Sequence, residues 1–547
     1  MRKSTAALTV ALIVFTATAD AQQKRDTTLK STTIEVIQSY KPEVKQAPKP
    51  VLVAELPPRD TARPNLKYDV PQQTLYYTYS ALPLRPLALG KDTMELPFQN
   101  YIKLGGGNLS TIYFDAGIGS LKGSNYETAI HLHHLSQNGN IKNQKVALSG
   151  IEADGTLHAK SYDWHFSLSG LLNEYYFYGY DHDSYNYKSD TIQQVFTGVE
   201  ATVDLKNIRA NKWQIDFHPA VSGYIYGDHY SNTERNIAFD IPLSKDIDSS
   251  LKASLGLKGI FTTLSSSTSD WGNNLVQLTP RLDFHKGNFT GRVGLYPTAG
   301  SYYSLLLLPD IEASYRFPNS MVSITGGWLA SIRQNTYRQL TGSNPYLFPP
   351  SQYPLFYQIR QTKMDEVFGM IKTNIGDHLS ANARVSWWRY NNLPMFLNDN
   401  GDNKNFYIQY DDQVNALSLQ LSARYQISNT FGVGANASFY NYYNKSYDRV
   451  WHQPGLRLKA DMTYRPSSAL LITAYATILD QIYALDKLHE EVKLDGVFDI
   501  GAGAEYSFIP RLSAFINVNN LLNDRYQRWY GYEVYGINVY GGLRLKF

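Results

Sequence analysis

No cysteine occurs among the 547 residues. That excludes disulfides, thiolate metal sites and a lipid-anchored amino terminus. Charge of one sign is also missing. The 51 Lys and Arg against 48 Asp and Glu leave a formal +3, so nothing points to nucleic acid or to electrostatic capture of an acidic partner. No stretch beyond the amino terminus comes near 18 uninterrupted apolar residues, and mean hydropathy is −0.35, so no helix crosses a membrane. Any membrane passage must be made by strands, each half polar, closed on one another into a barrel.

What is abundant is aromatic. There are 43 Tyr, 23 Phe and 8 Trp. Tyrosine suits surfaces that are half apolar and half wet, such as the girdles of a membrane barrel. Arg2 and Lys3, the apolar run Ala6–Ala17 and the small-x-small site Ala19-Asp20-Ala21 make residues 1–21 a secretory signal, cleaved after Ala21. Residues 22–97 hold 10 of the 24 prolines. Proline removes a backbone donor and blocks helix interiors and central strands, so this segment reads as an extended periplasmic tether. Its end, Leu75–Leu89, is apolar enough to pack at or inside a barrel mouth. Within the tether, Thr33, Ile34, Glu35, Val36 and Ile37 form a short β-prone piece able to add to a partner's sheet edge.

From Phe98 to Phe547 apolar and polar residues alternate with period 2. Leu417, Leu419, Leu421 and Ala423 are separated by Ser418, Gln420 and Ser422. The same rhythm holds in Leu251–Phe261, Trp164–Ser169, Trp213–His218 and Phe498–Phe508. Sustained at spanning length, it predicts an all-β transmembrane antiparallel barrel of 16–22 strands, even in number. Tyr101–Ser120 and Asn236–Ile247 are ambiguous. Short connectors such as Ile509-Pro510-Arg511 and Lys286-Gly287-Asn288 alternate with long ones: Asp181–Asp190, Tyr230–Asp248, Arg338–Lys363, Phe396–Gln413, Tyr443–His452 and Asn520–Glu533. The long ones face outward in outer-membrane barrels. The final stretch, Gly531–Phe547, places Tyr535, Ile537, Val539, Leu543, Leu545 and Phe547 on one face for lipid. Asn538, Tyr540, Arg544 and Lys546 lie on the other for the lumen. It reads as the closing strand and a signal for the barrel assembly machinery.

The carboxyl-terminal third carries Asn517-Val518-Asn519-Asn520-Leu521-Leu522-Asn523-Asp524-Arg525-Tyr526, then Trp529-Tyr530-Gly531-Tyr532 and Gly541–Phe547. This arrangement resembles the barrels of TonB-dependent receptors, specifically the plug-less receptor-like barrels of the Bacteroidota. Ile34–Pro42, Tyr101–Asn108, His133–Gly139 and Trp451-His452-Gln453-Pro454 resemble the same group. The resemblance implies an outer-membrane location, a transport or receptor role, and TonB or other outer-membrane subunits as partners. Thr33–Ile37 would then stand as an energy-coupling box. The chain departs from full receptors in showing no plug pattern ahead of its strands. A wide lumen must then be narrowed by residues 70–97, by inward loops or by a partner.

Chemistry-bearing clusters are few. His131 and His133 share a strand face and are weak metal candidates, with polar lumen residues the plainer reading. Asn398–Asn403 is rich in side-chain oxygen yet lacks the closing Glu of a calcium loop, so it and Asp181-His182-Asp183 read as solvated outer loops. Tyr175–Tyr180 and Trp387-Trp388-Arg389-Tyr390 read as girdle aromatics, with ligand stacking as the alternative. No nucleophile elbow is present, so neither an enzyme nor a cofactor is expected. The rivals to a transporter or receptor are a scaffold or assembly subunit and an apolar-solute channel with an amino-terminal hatch.

Overall fold

The computed structural model describes residues 100–547 apart from 354–358, 377, 400, 429, 445 and 487–489. The leader, the proline-rich tether and Thr33–Ile37 lie outside the described residues. From Tyr101–Gly107 onward, consecutive staves pair antiparallel, and the last, Asn538–Lys546, pairs back to the first. The result is a closed barrel of 22 staves, the upper end of the expected range.

Two staves are interrupted. Asp216–Phe217 and Ala220–Asp228 flank Pro219, while Asp270–Leu278 and Arg281–Lys286 flank Pro280. A proline has no N–H for the ladder, so pairing breaks at each. The predicted strand Trp213–His218 shrinks to its last part. The Asn211 side chain takes the backbone amides of Trp213 (3.0 Å) and Ile215 (3.2 Å), bending the chain and leaving Trp213 exposed on the rim.

Period 2 sorts every stave into an outer and an inner face. In Val414–Ser428, Leu417, Leu419 and Leu421 stand outward, whereas Ser418 is buried inside. Ile112, Val199, Ile225, Ile237, Val367 and Ile371 continue the apolar exterior around the wall. The same alternation corrects the predicted loop Tyr230–Asp248. Ile237, Ile241 and Leu243 face outward at every second or fourth position, so Thr233–Asp246 is a stave and the loop shrinks to the short turns at either end of it. Tyr101–Ser120 resolves into two staves, Tyr101–Gly107 and Thr111–Lys122. One rim carries short connectors, with Gly287 and Gly376 at positive φ. The other carries the long segments 177–192, 334–361, 392–413, 445–455, 481–496 and 520–537.

The two ends of the chain close on a seam of glycines. Gly105 faces Gly542 and Gly106 faces Gly541. A Cβ on Gly542 would lie 1.8 Å from the Leu104 carbonyl oxygen, and one on Gly107 would lie 2.1 Å from that of Val539. The Phe515 ring covers the gap from the lumen side, in edge contact with Tyr113 at 5.5 Å. At one end of the seam, Asn108 bonds the Ile537 carbonyl and the Val539 amide, each at 2.8 Å. At the other, Glu505 bridges Lys103 (3.1 Å) and Arg544 (3.0 Å).

Candidate functional site

The long segments are not solvated arms. They fold inward and build an apolar core across the barrel mouth. Phe196, Tyr226 and Leu264 contribute from the wall on one side of the ring. Tyr178, Tyr337, Leu347, Phe396, Phe406, Trp529 and Tyr532 contribute from loops spaced around the rest of it. Because one contiguous cluster joins elements from opposite parts of the ring, it spans the mouth as a cap. Tyr346 stacks on Tyr532 at 3.6 Å between centroids, and Tyr178 meets Tyr532 edge-on at 4.9 Å. Such pairs add about 0.5–1.5 kcal/mol each beyond their area burial.

The phenols are satisfied by backbone from distant loops. Tyr178 donates to the Glu533 carbonyl at 2.7 Å, and Tyr532 donates to that of Lys404. Burial pushes the Tyr178 phenol up to about 12 and that of Tyr532 well above its ordinary range. Both therefore remain donors at any physiological pH.

A short helix, Tyr337–Ser343, is moored to the wall by a buried acid. Glu234 accepts the backbone amides of Tyr337 (2.6 Å) and Arg338 (3.2 Å) and the hydroxyl of Tyr224 (2.8 Å). Tyr337 donates to Asp228 at 2.6 Å, and Tyr226 shares a bond of 2.8 Å with Thr341. Thr336 caps the helix through the amide of Gln339.

At the centre of the other half sits His452, fully buried against Phe406 and Trp529. Its Nδ1 lies 2.7 Å from the Phe396 carbonyl, and its Nε2 lies 3.3 Å from the Tyr530 amide. A carbonyl accepts and an amide donates, so the ring is neutral with its proton on Nδ1. Burial, more than the nearby Arg528 charge, pulls its pKa down to about 3.

Below the cap, the inner wall carries a cavity of about 470 Å³. Trp388 and Tyr390 stack on one stave (5.6 Å), and Tyr440 and Tyr442 stack on another (5.7 Å). Trp388 donates to Ser418 (3.0 Å) and Gln420 donates to Tyr440 (3.1 Å), which holds the rings in place. Arg384 grips Glu366 through two bonds of 2.8 and 2.5 Å and lies over the Phe368 ring. Arg333 and Arg457 complete the lining.

These placements revise several expectations. The Tyr175–Tyr180 run is not a girdle. The stave ends at Tyr176; Tyr178 turns into the cap core, and Phe177 and Tyr180 pack in a smaller buried cluster with Tyr176 and Ile192. Trp387-Trp388-Arg389-Tyr390 divides by parity, Trp387 outward and Trp388 and Tyr390 inward. Asn398, Asp402 and Asn403 are buried in the cap, with Asn398 bonded to Asn403 (3.0 Å) and Tyr187 to Asp402 (2.6 Å), so this is no solvated loop. His131 lies on the inner wall between Asp115 (3.1 Å) and Glu152 (3.7 Å), with the His133 ring beside it at 5.5 Å. No group of three or more His, Cys, Asp or Glu able to hold a metal occurs among the described residues. Leu543, Leu545 and Phe547 face outward with Ile537, and Val539 is half-buried. Tyr535 stands before the closing stave, half-buried near Tyr178 and Tyr175, because the chain is still in the cap there. Sequence reading had no signal for Glu234, whose helix partners lie about a hundred residues away, or for Arg333 and Arg457, which only barrel closure sets on one cavity.

No protein-family model matches this chain, and no curated protein does. Solved structures do. The FrpB iron transporter from Neisseria meningitidis aligns with a TM-score of 0.64 at 12% identity, over 83% of this chain and 83% of that one. The pyoverdine outer membrane receptor FpvA from Pseudomonas aeruginosa gives 0.61 at 12%, over 82% and 78%. The siderophore receptor PirA from the same species gives 0.57 at 10%, over 82% and 79%. The chain thus has the closed 22-stave barrel fold that these receptors and transporters share.

Proposed function

We propose that this protein is an outer-membrane barrel that takes up or receives a ligand, with its outer mouth closed by its own loops. The observation that carries the reading is the cap. A barrel wall with an apolar exterior supports a loop-built core across its mouth, above a wall cavity lined with rings and guanidinium groups. A catalytic role finds no support in the site, because its buried acid and histidine are tied to backbone groups of the cap.

The tether completes the reading. Thr33–Ile37 is the coupling segment offered to TonB, and residues 22–97 stand at the periplasmic side. Phe547 and the closing stave serve recognition by the barrel assembly machinery. Planar-bilayer conductance tests the whole. The full chain stays closed, while a variant with its cap loosened opens. If both remain closed and neither binds a solute, a scaffold role replaces transport. Coupling is tested separately by Ile34→Pro with Val36→Pro, which abolishes TonB contact on this reading.

A further inference from the structure

We propose that the inner-wall cavity beneath the cap binds a small organic anion that carries a planar ring and two or more acidic groups. This deepens the uptake reading and rests on it for its biological sense, though not for its test.

The cavity holds three guanidinium groups, Arg333, Arg384 and Arg457, and one carboxylate, Glu366. Glu366 is consumed by Arg384 in a two-point pair and by the Ser386 hydroxyl at 2.6 Å. Among the described residues, Arg333 bonds only the amide oxygen of Asn335 (2.8 Å) and Arg457 only that of Gln453 (3.1 Å), and neither has a carboxylate within ion-pair distance. A third unmatched cation stands just above. Arg528 donates to the His452 carbonyl at 2.8 Å and covers the Trp529 ring, and burial, then the neighbouring Arg457 charge, pulls it down to about 10. Partly buried cations set side by side without counter-charge cost stability, and a bound anion removes that cost.

Shape supplies the second half. The two stacked pairs, Trp388 with Tyr390 and Tyr440 with Tyr442, offer flat faces fixed by hydrogen bonds. The roof is apolar, since Leu393 and Val414 pack with Tyr390 and Tyr442 in one cluster. Guanidinium forks recognise carboxylate or phosphate in two-point fashion, and rings take the flat body of the same molecule. About 470 Å³ suits a ligand of that size.

The probe is benzene-1,3,5-tricarboxylate, against citrate and the neutral benzene-1,3,5-tricarboxamide, titrated by Trp fluorescence and calorimetry on the full chain in detergent. The ring-bearing anion binds best, and its affinity falls with salt. Arg333→Gln and Arg457→Gln each weaken it about tenfold or more, while Arg→Lys at either position retains part of the affinity. Heat-modified migration on gels verifies that every variant keeps a folded barrel. Binding of the neutral amide as tight as that of the acid, absence of binding, or binding indifferent to both Gln variants would overturn the proposal. None of these outcomes bears on conductance or uptake, which test the transport reading by themselves.

Discussion

The cap hangs on Glu234, and removing that side chain tests whether the cap is a separable unit. Glu234 is fully buried and receives three hydrogen bonds: two from the first amides of the helix Tyr337–Ser343 and one from Tyr224. Bonds to a charged acceptor contribute about 1.5–3 kcal/mol each, so loss of all three in Glu234→Ala costs about 4.5 kcal/mol at the lower end. Glu234→Gln keeps an acceptor for one or two donors but turns an NH₂ toward the third, for about 1.5–3 kcal/mol. Since every 1.4 kcal/mol is a factor of ten, amide exchange in segment 336–351 accelerates about a thousandfold in the Ala variant and about tenfold or more in the Gln variant. Staves on the far side of the barrel, such as Leu456–Ser467, keep their protection, because their ladders do not involve the helix. Hydrogen-exchange mass spectrometry of both regions reads the result. Unchanged exchange in 336–351, or an equal loss of protection throughout the barrel, would refute the idea that the mooring is local and electrostatic.

Other outcomes follow from the same geometry. His452 has its pKa lowered by folding to about 3, so its contribution is whole above the unfolded value of about 6.5 and is lost as pH falls below it. The cap therefore weakens by about 1.4 kcal/mol per pH unit below 6.5, roughly 2 kcal/mol at pH 5, and His452→Gln flattens the profile; urea titration of Trp529 emission checks both. Gly542→Val drives a Cβ toward the Leu104 carbonyl, 1.8 Å away on a paired backbone, so the heat-modifiable folded fraction falls sharply on gels, whereas Gly342→Val in the cap helix, with nothing within 4 Å, leaves it intact. Tyr532→Ala removes the Tyr346 stack and the Tyr178 contact, costing about 3–5 kcal/mol of cap stability, and speeds protease cleavage within 392–413 without altering the barrel's migration.

The wall was legible from sequence because one rule, two faces in strict alternation, governs every stave from Thr111 to Lys546. A register of Leu417 outward and Ser418 inward needs no knowledge of neighbours. The cap was not legible, because tyrosine serves equally at a membrane interface and in a half-polar core, and only the chain's path beyond Tyr176 decides between them. The same holds for Trp387 and Trp388. Adjacent letters face opposite media, and a run of aromatics read as one motif conceals that. Arg333 and Arg457 carried no local signal, since each looks like any rim arginine until barrel closure sets both on one inner wall. Pro219 and Pro280 show the opposite case: each break in pairing follows directly from a missing N–H.

The glycine seam has a consequence for how the barrel shuts. Interdigitating side chains ordinarily lock one strand against sliding along another, and Gly105–Gly107 against Gly541–Gly542 has almost none. The meeting edges could mate at neighbouring offsets with little steric protest. Alignment must then come from the two polar clamps, Asn108 on the backbone at Ile537 and Val539, and Glu505 between Lys103 and Arg544. They work as index marks on a smooth joint: a slip by one residue would part both at once and turn Leu543 and Leu545 from the apolar exterior toward the lumen.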